Sequence, residues 1–319
     1  MPRTLQSWFL ICWLAFPFLG FSQIKWTNVD SLYQPLPKSL HVYFTDNSID
    51  TAPFKAFYVI ADLKDKNLNF TTDTTFKRRL TPTEFFQKNN EPLLVVNGTF
   101  FSFETNANLN VVIREGKVVS YNSKTKKLAT DTTKRVKVYT GALGITKDRN
   151  ADVAWVKTDS SKSFAHAIQT SDNHGNYFAG KTNTTGQTQN KSSDLFKRWN
   201  MQTAIGGGPV LIQNGKIKIS NNEEGMFAGK AIHDKHPRTA MGYTKENKLI
   251  ILVVEGRNPE ADGATLPQEA QILKDLGCIE ALNLDGGGSS CLLINGKETI
   301  APSDKRQRPV PAVFMIHKN

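Results

Sequence analysis

The residues with the clearest chemical potential stand at the end of an apolar run near the carboxyl terminus. Asp285 ends this run and is followed at once by Gly286–Gly288 and Ser289. Glycine loses more backbone freedom on folding than any other residue, so chains keep such a run where a positive φ is needed or where a ligand leaves no room for a Cβ. The pattern predicts a site in which Asp285 lies beside bare backbone amides. The alternative is a tight turn whose Asp only accepts hydrogen bonds from the next amides.

Two other apolar runs also end in a polar residue followed by glycine. Pro92–Val96 leads into Asn97 and Gly98, and Leu249–Val254 leads into Glu255, Gly256 and Arg257. Continuous apolar runs of this length are typical of central strands that are buried on both faces. The sequence therefore predicts that buried strands present three polar side chains at their ends.

A second triple glycine, Gly206–Gly208, also precedes an apolar strand and then an Asn-Gly-Lys turn. Asn214-Gly215 and Asn295-Gly296 both lie between apolar runs, which is the strongest short signal for a hairpin. Glu115-Gly116 is a looser third copy. We interpret the pattern as a repeated unit whose glycine-rich turns converge on one surface. The alternative is that these segments are only well-formed turns.

Helix signals are few in this sequence. Thr81-Pro82-Thr83-Glu84 has the N-cap, N1 proline and N3 glutamate of a helix start, and the segment from Thr265 ends at Gly277. Many strands, repeated Gly-rich hairpins and few helices predict an α+β fold: a single large domain with a mixed or antiparallel β-sheet. The sequence lacks both the phosphate-loop and the dinucleotide-binding glycine patterns.

The amino-terminal segment resembles a secretory signal peptide. Arg3 supplies the positive start, Trp8–Phe21 is apolar but short for a membrane span, and small residues precede Gln23. We expect residues 1–22 to be removed and residues 23–54 to form an entry segment. The protein is then secreted or periplasmic, with no stable membrane insertion after signal cleavage.

The chain of 319 residues carries a formal net charge of +11. Such a balance could favour anionic partners, such as phosphate-bearing glycans. Because the lysines are scattered, a solvated Lys-rich surface explains the charge better than a dedicated patch does. No nucleic-acid-binding pattern is present. The two cysteines outside the signal segment, Cys278 and Cys291, could pair after export or could remain buried as small apolar residues.

Five segments in one order resemble the phosphodiester glycosidase family. They are Asn97–Phe101, Gly206–Pro209, His236–Ala240, Glu255–Arg257 and Asn283–Ser290. The resemblance runs from about residue 55 to residue 317, so we expect residues 55–319 to form one phosphodiester glycosidase-like domain. One departure is Glu255, where the resemblance leads us to expect Asp, so the carboxylate is one methylene longer.

The resemblance implies cleavage of the bond between a sugar's anomeric carbon and a phosphate oxygen, with an α-N-acetylglucosaminyl phosphodiester or a related phosphoglycan as substrate. Such reactions pass through an oxocarbenium-like state and typically use two carboxyl groups. We expect Asp285 to act as nucleophile or to stabilise the cation, and Glu255 to act as general acid/base or to bind sugar. Arg238 would bind the phosphate, or else form a structural ion pair.

Further binding roles follow from the same resemblance. Asn97 would hydrogen-bond the sugar or orient Asp285, unless it only caps a turn. Amides of the two glycine runs would supply more phosphate donors of the nest type. The substrate- and phosphate-binding set that we predict is Arg238, Asn97, Gly207, Gly208, Gly286, Gly287 and Ser289.

Two other classes of function stay open at this point. One is a non-catalytic protein that binds glycans or exopolysaccharide, and the other is a metal-dependent phosphodiesterase that cuts the P–O bond. The sequence requires no cofactor. Asp, Glu and carbonyl oxygens could hold Ca²⁺, but the spacing of the acidic residues does not demand it.

Overall fold

A computed structural model describes residues 24–122, 126–128, 131–136, 139–170 and 196–319. The predicted signal peptide, residues 1–22, lies outside the described residues. The segment around residues 180–193, whose Ser, Thr, Asn, Gly and Lys content predicts a long exposed loop, lies outside them as well. In the described ranges, no helix is both long enough and apolar enough to cross a membrane.

The largest sheet has eight strands. The strands that lead to Glu255 and Asp285 of the predicted site lie at its centre. Its order is β1 (Thr27–Asn28), β2 (Leu40–Thr45), β3 (Ala56–Asp62), β18 (Lys248–Val254), β17 (Arg238–Thr244), β19 (Cys278–Asn283), β15 (Val210–Gln213) and β16 (Lys216–Ile217). The central strands β18, β17 and β19 are buried along almost their whole length, as their apolar runs predict.

Two further sheets pack against the first. The seven-stranded sheet has the order β13 (Lys197–Trp199), β12 (Ala165–Ile168), β11 (Ala151–Lys157), β10 (Thr140–Ile145), β14 (Thr203–Gly206), β6 (Val112–Arg114) and β7 (Lys117–Ser120). The five-stranded sheet has the order β21 (Lys297–Glu298), β20 (Leu292–Ile294), β5 (Leu94–Asn97), β22 (Ala312–Lys318) and β4 (Leu68–Thr74). A separate pair joins β8 (Lys126–Leu128) and β9 (Asp131–Val136).

The described α-helices are short, and two of the three begin where the sequence predicts, after Thr81 and after Thr265. They are α1 (Pro82–Lys88), α2 (Asn221–Glu224) and α3 (Leu266–Asp275). Thr81 and Glu84 form a capping box at α1, and Thr265 and Gln268 form one at α3. These reciprocal bonds satisfy backbone N–H groups that have no partner inside the helix. Gly277, just past α3, has a φ of +86°, which favours glycine at a helix end.

The main hydrophobic core lies where the three sheets meet. Met241 from the first sheet, Trp155 from the second and Phe314 from the third belong to one buried cluster. The opposite face of the eight-stranded sheet is covered by α3, where Ala240 packs near Leu266. Along β17, side chains therefore alternate between the three-sheet core and the layer beneath α3. This alternation decides where Arg238 and Thr239 point.

The two-residue turns have the geometry that the sequence predicts. Both central residues have positive φ in the turns Glu115-Gly116, Asn214-Gly215 and Asn295-Gly296. Type I′ turns require this, and their twist matches that of the flanking strands. The three hairpins β6–β7, β15–β16 and β20–β21 are thereby confirmed.

Every strand pair in the described residues is antiparallel, and helices are few. The predicted α+β fold is confirmed in its antiparallel form. Cys278 and Cys291 are both free and buried, in accord with the second of the two alternatives for them. Burial raises the pKa of the Cys278 thiol to about 12.

Candidate active site

Asp285 lies where the ends of two strands from different sheets meet. The Asn97 side-chain amide, at the end of β5, donates to the Asp285 carbonyl over 2.5 Å. The Asp285 backbone N–H in turn donates to the Gly98 carbonyl over 3.0 Å. The predicted polar residues of two strand ends therefore come together at one point.

The Asn97 amide is fully buried and is held on its other side as well. Its side-chain oxygen accepts from the Thr239 hydroxyl at 2.9 Å and from the Cys291 N–H at 3.0 Å. Thr239 projects into this cluster because it alternates with Arg238 along β17. A buried amide with both ends hydrogen-bonded is held in one orientation, so it fixes the backbone of Asp285.

The Asp285 carboxyl group is half-buried and has an unusual pKa. Burial raises this pKa to about 7, although hydrogen bonds from Ser289 and the Gly286 N–H and the positive charge of Arg308 each act to lower it. Desolvation penalises the charged form of a carboxyl group, and here it outweighs the three favourable contacts. A carboxyl group that titrates near neutral pH can exchange a proton during a reaction.

Arg308 lies directly beside this carboxyl group. Its guanidinium pairs with Asp304 over 2.7–2.9 Å and donates to the Ser289 hydroxyl over 3.4 Å. Ser289 therefore connects Asp285 to a cation. A Cβ on Gly288 would collide with the Arg308 guanidinium and the Asp304 carboxylate, so the bare backbone makes room for this pair.

A second guanidinium, that of Arg257, lies against the preceding glycine. A Cβ on Gly287 would come within 3.2 Å of both terminal nitrogens of Arg257, and Gly287 itself has a φ of +62°. Arg257 is exposed, and His236 Nδ1 is 3.1 Å from one of its terminal nitrogens. Burial, Arg238 and Arg257 all lower the pKa of His236, so the neutral ring is favoured as a partner for Arg257.

The triple glycine is therefore explained mainly by side chains that lie against it. Of the amides expected to bind phosphate, that of Gly286 bonds the Asp285 carboxyl group, and that of Gly287 donates to the Pro237 carbonyl at 2.8 Å. The glycines let Arg257 and Arg308 approach the backbone just after Asp285. The charge of Arg308 acts on the Asp285 carboxyl group, and Arg257 lies against Gly287, two residues further along the chain.

Arg238 lies in a different environment from the one expected. It is 4% exposed and points towards the α3 layer, where its guanidinium donates to the Ala264 carbonyl at 2.9 Å and to the Asp234 carbonyl at 2.8 Å. Its charge also acts on Glu269 of α3, whose carboxyl group is fully buried with a pKa raised to about 8 by that burial. The hydrogen-bond partners of the Arg238 guanidinium are thus two backbone carbonyls, and no ion pair to Asp285 or Glu255 is among the contacts of the described residues.

The first glycine run is used inside the fold. Gly207 donates to the Gly141 carbonyl at 2.9 Å and Gly208 to the Asn283 carbonyl at 2.8 Å. A Cβ on Gly207 would collide with the backbone of Asn283, just before Leu284 and Asp285. The two glycine-rich segments do converge, but their contact is one of backbone packing.

Glu255 is buried and already holds two protein donors. One carboxylate oxygen accepts from the Asn258 side chain at 3.0 Å and the other from the Ala301 N–H at 2.9 Å. Among the hydrogen bonds of the described residues, none joins Glu255 to Asp285. Glu255 thereby connects the turn that carries Arg257 to the segment after β21.

The described part of the chain contains no group of three or more His, Cys, Asp or Glu side chains arranged to hold a metal ion. A set of ligands for the calcium ion considered from the sequence is therefore not found in those residues.

The sequence did not predict that Arg257 and Arg308 lie against the glycine run after Asp285. Arg257 belongs to the Glu255–Arg257 motif, in which only the carboxylate of Glu255 was given a role. Arg308 lies in a polar segment with no recognisable pattern. The triple glycine was the signal that could have indicated these arginines. Close approach of a guanidinium to the backbone requires residues without a Cβ, just as close approach of a ligand does.

A family model described as phosphodiester glycosidase matches residues 90–317, which is most of the chain. The chain belongs to the phosphodiester glycosidase family. It is 33% identical over 130 residues to the N-acetylglucosamine-1-phosphodiester alpha-N-acetylglucosaminidase of Mus musculus, and 40% identical over 124 residues to the SPbeta prophage-derived uncharacterized protein YomE of Bacillus subtilis (strain 168). These matches cover 36% and 39% of this chain but only 25% and 19% of the two relatives.

The fold agrees with that of a solved family member. The catalytic domain of zebrafish N-acetylglucosamine-1-phosphodiester alpha-N-acetylglucosaminidase, a structure auto-inhibited by its pro-peptide, aligns with a TM-score of 0.62 and 20% identity. The alignment covers 90% of this chain and 86% of that one. The phosphodiester glycosidase fold therefore extends over nearly the whole chain, including segments outside the family model.

Proposed function

We propose that this family member hydrolyses a sugar-1-phosphodiester, an α-N-acetylglucosaminyl phosphodiester or a related phosphoglycan, at the anomeric C–O bond. The observation that carries the proposal is the Asp285 carboxyl group, whose pKa burial raises to about 7, with Arg308 acting on it and Arg257 against Gly287 of the glycine run that follows it. Two guanidinium groups can bind the negatively charged oxygens of a phosphodiester. A carboxyl group that is partly ionised at neutral pH can accept the proton of a water molecule that attacks the anomeric carbon.

In the proposed step, water attacks the anomeric carbon while the bond from that carbon to the phosphate oxygen breaks. The Asp285 carboxylate accepts the proton of the water, the sugar leaves as the free hemiacetal and the phosphate leaves as a monoester. A phosphate monoester is a good leaving group, so the arginines need only stabilise its growing negative charge. This scheme needs one reacting carboxyl group, whereas the sequence led us to expect two.

The remaining residues receive positioning roles in this proposal. Asn97 fixes the backbone of Asp285, and Ser289 connects its carboxyl group to Arg308. Glu255, with both oxygens occupied, holds the Arg257 turn in place. Arg238 stabilises the segments around Asp234 and Ala264 from inside the fold.

We also propose that the protein acts after export, in the periplasm or outside the cell. The support is the amino-terminal pattern of Arg3, an apolar segment and small residues before Gln23. The test is to detect a carboxyl-terminal epitope tag in the cell fractions and the medium and to measure the mass of the exported protein. A mature chain beginning near Gln23 is expected, and an unprocessed chain retained in the cytoplasm would contradict it.

The test of the reaction is hydrolysis of an α-N-acetylglucosaminyl phosphodiester in ¹⁸O-labelled water, with mass spectrometry of both products. Label in the sugar is expected, because the C–O bond breaks. Label in the phosphate would mean P–O cleavage by a phosphodiesterase, and chelator sensitivity would then identify metal dependence.

The matched control for this test is Asp285→Asn, which keeps the shape of the side chain but cannot accept the proton. It should lose turnover while still binding the substrate. Binding by both proteins without turnover by either would instead identify a glycan-binding protein.

A further inference from the structure

An exposed aromatic ring stands between two guanidiniums beside the proposed site. Phe103 is 65% exposed, and the guanidinium carbons of Arg308 and Arg79 lie 5.5 Å and 5.6 Å from its ring centroid. Arg79 also lies 5.2 Å from the centroid of Phe101, whose ring is 4.7 Å from that of Phe103 between centroids and tilted by 45° to it. A single exposed apolar side chain is ordinary, so the distinctive feature here is the pair of guanidiniums that lie over this ring.

The two guanidiniums differ in what else they contact. Arg308 is already paired with Asp304 and connected to Asp285 through Ser289. Arg79 forms no ion pair or side-chain hydrogen bond with the described residues, so its donors stay available although its stem rests on two rings. Resting on aromatic faces orders the guanidinium before a ligand arrives, which lowers the entropy lost on binding.

Several cations neighbour Arg79 and Arg308 in the sequence, although Glu104 follows Phe103 and Asp304 pairs with Arg308. The loop of Arg79 also contains Lys77 and Arg78, and the segment that leads to Arg308 contains Lys305 and Arg306. All four are exposed, and none forms an ion pair with the described side chains. Arg308 and Arg79 on one ring, with further cations next to each in the sequence, favour a ligand with more than one negative charge.

We infer that Arg79 and Phe103 form a second subsite, which binds the next phosphate and the next sugar of a phosphoglycan chain. This inference rests on the proposed function and deepens it, because it specifies a substrate with recurring phosphodiesters rather than a single terminal one. Arg308 and Arg257 hold the scissile phosphate, the apolar face of the next sugar lies on Phe103, and Arg79 binds the following phosphate through its planar fork.

The test compares two synthetic substrates with the same scissile bond. One is methyl α-N-acetylglucosaminyl phosphate, and the other extends the aglycone by one sugar and a second phosphodiester. At low salt, kcat/KM should be about tenfold higher for the two-phosphate substrate, as expected for one additional charged hydrogen-bonded contact.

Arg79→Gln should abolish this preference and leave hydrolysis of the one-phosphate substrate unchanged. Arg78→Gln is the matched control, because it removes the same charge from the same loop without a contact to Phe103, and it should keep the preference. Phe103→Ser should reduce the preference in part. Equal rates for both substrates in the unmodified protein, or equal effects of the two arginine variants, would overturn the subsite.

Calorimetric binding of both compounds separates this inference from the proposed reaction. If neither compound is hydrolysed but the two-phosphate compound binds more tightly and only Arg79→Gln removes the difference, the reaction is wrong and the subsite stands. Equal binding of the two compounds, or none, would overturn the subsite as well.

Discussion

Asp285→Asn should make the protein more stable at alkaline pH even though it removes the proposed reacting group. The folded-state pKa of about 7 lies above the ordinary aspartate value of about 3.9, so folding disfavours the ionised form. The destabilisation is absent below pH 4, where the carboxyl group is protonated in both states. It grows through the range from 4 to 7 and is complete above that range. Asparagine does not titrate and keeps one oxygen to accept from Ser289.

The magnitude follows from the size of the shift. About three pKa units at about 1.4 kcal/mol each give an upper bound of about 4 kcal/mol for the destabilisation by ionised Asp285. We take about half of this value, because solvent screens a group that is only partly buried. A gain of about 2 kcal/mol in the free energy of unfolding corresponds to about 4 °C in Tm for a chain of this size.

The assay is denaturant unfolding and calorimetry of both proteins at pH 4, 6 and 8. The stability difference should be near zero at pH 4 and largest at pH 8. Asp148→Asn, at an exposed position, controls for the loss of one surface charge. A difference that does not change with pH, or a variant less stable at pH 8, would refute the argument that Asp285 is strained by desolvation.

Three more predictions concern the site and its support. Because the ionised form of Asp285 accepts the proton, kcat/KM should rise tenfold per pH unit below about 7 and level off above it, and a profile that falls with pH would contradict this. Arg238→Met should cost about 3 kcal/mol in urea unfolding with KM nearly unchanged, whereas a tenfold higher KM at unchanged stability would favour the phosphate role. Glu224→Gln should cost about 3 kcal/mol, because its carboxylate accepts from Gly141, Val210, Trp155 and Ser220, and an unchanged urea midpoint would contradict this.

Much of the fold could be predicted because local rules decide it. The two capping boxes, at Thr81 and Thr265, and the Asn-Gly turns depend on residues a few positions apart, so the sequence contains their full explanation. The same holds for the central strands, since a continuous apolar run is stable only when both of its faces are buried.

The positions of side chains around the site depend on long-range packing, and there prediction was weaker. Whether Arg238 faces a ligand or the α3 layer depends on strand register, since a shift of one residue along β17 would exchange it with Thr239. Arg308 reaches Asp285 through a polar segment without periodicity, so no local pattern indicated it. Asp285 and Asn97 were predictable because each ends a buried strand.

The contact between Asn97 and Asp285 also has a consequence for folding. These residues are 188 positions apart and belong to strands of two different sheets. Contacts of such separation form late, after the entropy of closing a long loop has been overcome. A partly folded chain with only one of these sheets in place would have the right residues but no oriented carboxyl group, so hydrolytic activity should appear only together with the complete fold.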